Sequence, residues 1–208
     1  MKIVIADHHQ IIRRGLQLIL ARRSDWSIVA EAEDAPQLLA ALQRDACDVL
    51  VTDLSLRGQC MLEMLAEIHR VRPALPVLFL TSYPEEQYAV PALRAGARGY
   101  IQKDASADEI LDAIARVAAG RTRVSEQVAE LLAQSVASPS GPLHARLSAR
   151  ELDVFLRLAR GETVSDIAAA LGVSIKTIST YRTRIMEKTG FRSNADIVAY
   201  AVRTNLIA

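Results

Sequence analysis

Residues 147–190 read LSARELDVFLRLARGETVSDIAAALGVSIKTISTYRTRIMEKTG. Ser148 is a good N-cap for a helix over 149–160, and Glu151, the third residue after it, completes a capping box. Leu152, Phe155, Leu156, Leu158 and Ala159 supply the packing face of that helix, and Gly161 ends it. Thr163 begins a second helix with Ile167, Ala168 and Leu171 inward. Gly172 supplies a turn, Val173 fills the space behind it, and Ser174 caps a third helix running to Thr189. Ile178, Tyr181, Ile185 and Met186 give that third helix an apolar repeat of three to four residues. Ser193 caps a fourth helix with Ile197, Val198 and Ala201 as its face. A helix pair joined by a glycine turn fits a helix-turn-helix whose second member enters the major groove. Periodicity alone also allows a four-helix interaction module with a solvated basic face.

Charge favours the first reading. The chain of 208 residues has a net charge of only +1. Residues 1–124 carry 15 basic and 16 acidic side chains, whereas residues 125–208 carry 10 and 8. Within the reading helix and just beyond it, Lys176, Arg182, Arg184, Lys188 and Arg192 are opposed only by Glu187. Positive charge on one segment is an electrostatic footprint for a polyanion. Lys176, Thr177 and Thr180, early on the helix, are the candidates for base edges. Arg182, Arg184 and Lys188, further along, are the candidates for phosphates.

Upstream, five apolar runs alternate with five amphipathic segments. The strands are read over 2–6, 27–30, 49–52, 76–80 and 99–101, and the helices over 9–22, 34–43, 61–70, 85–95 and 107–119. Pro91 interrupts the fourth helix or marks a late start. Alternation of this kind predicts a parallel sheet covered on both faces, with its working site outside the carboxyl ends of the strands. Asp7, Asp53, Thr81 and the Gln102-Lys103 pair all fall at those ends. A helix over 124–134 is followed by Ala137-Ser-Pro-Ser-Gly-Pro-Leu143, which has linker composition. The domains are therefore placed at 1–122 and 146–208, with 123–145 as the linker. The fold class is α/β, a five-stranded doubly wound domain followed by a small four-helix all-α domain.

Two carboxylates at neighbouring strand ends repel each other unless a proton or cation lies between them. Mg²⁺, which prefers hard oxygen ligands, is the natural cation. Asp53, in the middle of the site, is best placed for attack on phosphorus. Lys103 then pairs with the phosphoryl oxygens, and the Thr81 hydroxyl donates to one of them. Read singly, each of these residues is a cap, a turn residue or a surface charge; their convergence carries the argument. His8 and His9 are adjacent rather than at a chelating helical spacing, so no dedicated Zn²⁺ site is expected. Cys47 and Cys60 have no CxxC partner and read as reduced thiols. The opening MKIVIAD is too short for a signal peptide, and no apolar run is long enough for a membrane span. A soluble, cytoplasmic protein is expected.

Asp7, Asp53, Thr81, Tyr100 and Lys103 resemble the site of the receiver domain of bacterial two-component response regulators. LSARE, GETVSDIA and SIKTIS resemble the LuxR-type helix-turn-helix, so the whole chain is similar to the NarL/FixJ group. The resemblance implies that Asp53 accepts a phosphoryl group from a sensor histidine kinase. It places Mg²⁺ on Asp7, Asp53 and the backbone carbonyl of Ser55. It makes Thr81 and Tyr100 the switch that reports to the face of the fourth helix, fifth strand and fifth helix, with Lys103 on the phosphate. It implies a homodimer on double-stranded DNA. Three positions depart from the family pattern. His8 stands where a second acid is usual, which weakens Mg²⁺ binding because imidazole is a poor ligand for it. Arg57 replaces a proline, and Met61 replaces a loop glycine. Arg57 is expected beside the anionic pocket, compensating its charge, or else in solvent.

The reading that follows is a transcriptional regulator, controlled at Asp53 or, alternatively, using its receiver as a phosphorylation-independent dimerisation platform. A phosphoester-processing enzyme is the rival from another class. It lacks a water-positioning acid and leaves the helix-turn-helix unexplained.

Overall fold

The computed structural model describes residues 1–137, 143–204 and 206–207. The centre of the expected linker, 138–142, lies outside the described residues. The chain divides into two compact units, Met1–Leu132 and Ala133–Ala208.

In the first unit the elements are β1 (Lys2–Ala6), α1 (Gln10–Leu20), β2 (Ser27–Ala32), α2 (Ala35–Arg44) and β3 (Val49–Thr52), then a two-stranded hairpin, β4 (Ser55–Leu56) and β5 (Gln59–Cys60). There follow α3 (Met61–Val71), β6 (Val77–Thr81), α4 (Glu85–Arg94), β7 (Gly99–Gln102) and α5 (Ala107–Ala118). The main sheet has the order β2-β1-β3-β6-β7 with every pairing parallel. Strand order reverses between β1 and β3, and in such sheets the crevice at the reversal is where ligands bind. Asp7 and Asp53 flank that crevice because each follows one of these two strands.

β1, β3 and β6 are buried along nearly their whole length, as a sheet covered on both faces requires. Ile3, Ile5, Val49, Val51, Leu78 and Leu80 pack with Leu16 and Leu20 of α1 and with Ile110, Ile114 and Val117 of α5. At the sheet edge Arg123 bridges to Gly99 in parallel. A Cβ on Gly99 would lie 2.7 Å from both Leu78 and Val117, so a side chain there would force β7 off its neighbours. α4 runs through Pro91 without a break.

The hairpin of β4 and β5 is not legible in the periodicity. Arg57 and Gly58 form its two-residue turn with φ of 45° and 83°. Positive φ at both central residues is what a tight hairpin turn of this handedness needs. Arginine rarely takes it, which is why residues 55–60 do not read as a turn.

α6 (Glu126–Ala137) is longer than the 124–134 read from sequence, and the division between the units falls inside it. The second unit continues with a 3₁₀ turn (Leu143–Arg146), α7 (Ala149–Ala159), α8 (Val164–Leu171), α9 (Ile175–Thr189) and α10 (Asn194–Arg203). Ser148, Thr163, Ser174 and Ser193 each accept a hydrogen bond from the backbone N–H three residues on. Gly172, at φ 64°, closes α8 in the left-handed conformation and sets the turn into α9. Leu152, Phe155, Leu156, Ile167, Leu171, Ile178, Ile185, Ile197 and Ala201 fill the core. Phe155 meets Tyr200 edge-on at 6.2 Å between ring centroids.

Candidate functional site

Parallel pairing sets the strand-end cluster. The Asp53 N–H donates to the Ala6 carbonyl at 2.9 Å, and the Lys103 N–H donates to Thr81 at the same distance. These bonds hold the ends of β1, β3, β6 and β7 level, so side chains far apart in sequence converge. Lys103 Nζ lies 2.6 Å from Asp7 Oδ2 and 2.6 Å from Asp53 Oδ2. The lysine side chain is only 10% exposed and the two carboxylates 4% and 5%. The cation that two neighbouring carboxylates require is therefore supplied from within the chain.

Asp53 Oδ1 accepts from the Thr81 hydroxyl at 2.6 Å and from the Leu54 N–H at 2.6 Å. Tyr100 is 1% exposed, and its hydroxyl donates to the Tyr83 carbonyl at 2.9 Å. Burial, with lesser pushes from Tyr88 and Asp53, raises the Tyr100 pKa well above the usual phenol value, so it remains a donor. Asp7, Asp53, Thr81 and Lys103 thus form one network, and Tyr100 packs inward beyond it. The Ser55 carbonyl faces His8 Nδ1 at 3.2 Å.

Arg57 does not compensate the pocket. Its guanidinium pairs with Glu33, and that contact is the main reason the Glu33 carboxyl sits below its ordinary pKa. The left-handed turn at Arg57 points the side chain toward Glu33 instead of toward Asp53. Sequence reasoning gave His9 no role at Asp7 and left out Arg13. The His9 backbone N–H donates to Asp7 Oδ1 at 2.8 Å, and Arg13 donates to the Asp7 carbonyl at 2.6 Å. The position of His9 two residues after Asp7 was the only sequence signal for either.

Asp7, His8, His9 and Asp53 offer ligand atoms that all lie within 4.8 Å of one another. Mg²⁺ wants six oxygens in near-ideal octahedral array. Here two carboxylates are held by Lys103 and the third expected oxygen, on Ser55, faces an imidazole. The donor set suits a weakened, atypical divalent-metal site in which Asp7 and Asp53 would hold the ion.

The second cluster lies on α9. Lys176, Thr177, Thr180 and Arg184 line one open depression of about 360 Å³ with Ser174 and Tyr181. Arg182 and Lys188 are not part of it. Arg182 Nε donates to Asn194 Oδ1 at 2.8 Å, and Lys188 Nζ lies 2.6 Å from Glu151 Oε2. Burial opposes ionisation of Glu151, but hydrogen bonds from Lys188 and Ser148 outweigh it and hold the carboxyl below the usual range. Ile175, at the start of α9, is 56% exposed, an apolar side chain off the packing stripe that the periodicity did not single out. Among the described residues no helix is long and apolar enough to cross a membrane.

Residues 3–115 match the response regulator receiver domain, and residues 145–201 match the luxR family of bacterial regulatory proteins. The oxygen regulatory protein NreC of Staphylococcus aureus (strain bovine RF122 / ET3-1) is 36% identical over 216 aligned residues, which cover 100% of this chain and 99% of NreC. RcsB from Salmonella enterica serovar Typhimurium, solved bound to promoter rprA in the presence of the phosphomimetic BeF3-, is 28% identical with a TM-score of 0.65. That match covers 96% of this chain and 97% of RcsB. A LuxR-family two-component response regulator from Aurantimonas sp. SI85-9A1 is 31% identical with a TM-score of 0.60, over 66% of this chain and 98% of that one. A parallel sheet with Asp7, Asp53, Thr81 and Lys103 at its strand ends, followed by a capped helix-turn-helix, makes this chain a regulator and not an enzyme: it belongs to the NarL/FixJ group of bacterial response regulators.

Proposed function

We propose that this chain is a DNA-binding transcriptional regulator that works as a dimer, with a receiver held in its working arrangement without phosphate. The receiver spans 1–122 and the DNA-reading domain 146–208, joined by the linker 123–145. Asp53 is the phosphoacceptor position, Lys103 and Thr81 its contacts, and Tyr100 the packed aromatic of the switch. Asp7, Asp53 and the Ser55 carbonyl are the positions for a weakly held Mg²⁺. Lys176, Thr177 and Thr180 face bases and Arg184 faces phosphate. Arg182 and Lys188 face phosphate with the N–H donors not engaged by Asn194 and Glu151. The Thr180 hydroxyl proton is already given to the Lys176 carbonyl at 3.0 Å, so Thr180 offers DNA its methyl and its lone pairs.

One observation carries the phosphate-independent reading. In an ordinary switch, phosphoryl charge draws the threonine in and the aromatic follows. Here Thr81 already donates to Asp53, Lys103 already bridges both acids, and Tyr100 is already buried. A modification shifts an equilibrium only by its differential affinity for the two states. With the inward arrangement populated beforehand, little remains to shift. A sensor histidine kinase stays a partner of the family type, with a modest effect.

The test is DNA affinity of the wild type and Asp53→Ala, each with and without a small phosphodonor. The expected outcome is that Asp53→Ala retains most of the affinity. The phosphodonor should change wild-type affinity by less than about fivefold, the low end of allosteric coupling. Tight binding confined to phosphorylated wild type would restore the ordinary switch.

A further inference from the structure

We propose that Asp7, His8, His9 and Asp53 form a site for a borderline transition-metal dication of the Zn²⁺ class, bound in preference to Mg²⁺. The inference goes beyond the regulatory reading and concerns the chain with Asp53 unmodified.

Donor chemistry is the first ground. Carboxylate oxygen and water suit Mg²⁺, whereas imidazole suits Zn²⁺, Ni²⁺ and Fe²⁺. Two of the four residues that converge here are histidines. Zn²⁺ takes imidazole nitrogen and carboxylate oxygen at about 2.0–2.2 Å in a tetrahedron. Ligand atoms already within 4.8 Å of one another need only a small contraction to reach such a shell. Mg²⁺ gains nothing from the imidazoles, and either ion must share Asp7 and Asp53 with Lys103.

Ring orientation is the second and independent ground. His8 Nδ1 lies 3.2 Å from the Ser55 carbonyl oxygen, and His9 Nδ1 lies 3.2 Å from Asp7 Oδ1. A backbone carbonyl has no proton to give, so the His8 bond places the proton on Nδ1 and leaves Nε2 as its donor atom, whereas a cation between His9 and Asp7 would replace their direct contact. Metal-binding histidines are commonly set as His8 is, with the second nitrogen donating to a carbonyl or carboxylate. The two rings are also brought together, with centroids 3.7 Å apart.

Access is the third. Asp7 and Asp53 are buried, His8 is half-buried, and the His9 side chain is 54% exposed. A cation entering from solvent meets imidazole first and carboxylate behind it. Asp7 presents Oδ1 toward His9 and Oδ2 toward Lys103, so an incoming dication and the ammonium would share one carboxylate.

The experiment is calorimetric titration of the metal-free full chain with ZnCl₂ and, separately, MgCl₂, paired with the absorption spectrum of the Co²⁺-loaded chain. We expect one Zn²⁺ per chain, at least about 100-fold tighter than Mg²⁺, with His8→Ala and His9→Ala each weakening Zn²⁺ about tenfold or more. Neither variant should weaken Mg²⁺, and His8→Ala, which frees the Ser55 carbonyl, should tighten it if anything; retained Mg²⁺ binding also shows that the site still folds. His8→Asp should tighten Mg²⁺ and weaken Zn²⁺. The Co²⁺ spectrum should lose its tetrahedral character in His8→Ala. His69 and His144 are the other histidines of the chain, and a joint His69→Ala, His144→Ala variant should bind Zn²⁺ as the wild type does. Zn²⁺ binding that survives loss of both His8 and His9, or Mg²⁺ binding as tight as Zn²⁺, overturns the proposal. Either result leaves the Asp53→Ala affinity test of the regulatory reading untouched, so the two fail separately.

Discussion

Lys103 holds two buried carboxylates at 2.6 Å each, so removing it leaves two neighbouring negative charges out of water with no counterion. Breaking a buried ion pair by deleting one partner typically costs about 3–5 kcal/mol. Lys103→Ala should lower stability in urea unfolding by that amount, and added Mg²⁺ should restore part of it by taking the vacated position. A Lys103→Ala chain as stable as wild type would mean that the network carries no strength. Arg57 argues the opposite case, a residue that costs stability where it stands. Its φ of 45° is left-handed, a conformation that costs a side-chain-bearing residue about 1–2 kcal/mol. Its pairing with Glu33 is at the surface, where such pairs contribute little. Arg57→Gly should therefore raise stability by about 1 kcal/mol, measured as a higher urea midpoint with an unchanged slope.

α9 divides its cations by task. Lys176 and Arg184 are exposed on the depression, while Lys188 ties α9 to α7 through Glu151. Lys176→Ala should relax base preference in competition binding. Arg184→Ala should weaken all sequences alike and flatten the log–log salt dependence by about one unit of slope. Lys188→Ala should act first on stability, because it strands the buried Glu151 carboxylate. That carboxylate also sets an acid limit. Its pKa in the folded chain lies below the ordinary value of 4.5, so the stability it contributes is complete above pH 4.5. It is lost as pH falls from there through the lower folded value. Urea titrations followed at α9 amides over a pH series should show this loss, and Glu151→Gln should remove that part of the pH dependence. The half-buried His144 works in the same direction at higher pH. Burial lowers its pKa below 6.5, so its contribution declines as pH falls through 6.5 toward the folded value.

For the whole molecule, a two-fold dimer should protect two half-sites about one helical turn or less apart on DNA. Footprinting that shows one monomer on one half-site at saturating protein would remove the dimer. How much of this was legible in sequence follows from what each feature depends on. The strands and helices were legible because hydrophobic period and capping are local: Ser148 with Glu151 and Gly172 after Leu171 mark their helices wherever the chain goes. The convergence of Asp7, Asp53, Thr81 and Lys103 was legible because parallel sheets place their strand ends together. The Arg57–Gly58 turn was not, since it depends on a left-handed arginine that local preference disfavours. Nor were the partners of the charges. Arg57 on Glu33, Lys188 on Glu151 and Lys103 across both acids join residues 24, 37 and 50 or more positions apart. The sequence by itself determined which side chains are charged and which elements carry them. Only the tertiary structure decided which charges meet, because a Coulomb interaction falls with distance in space, and packing alone sets that distance.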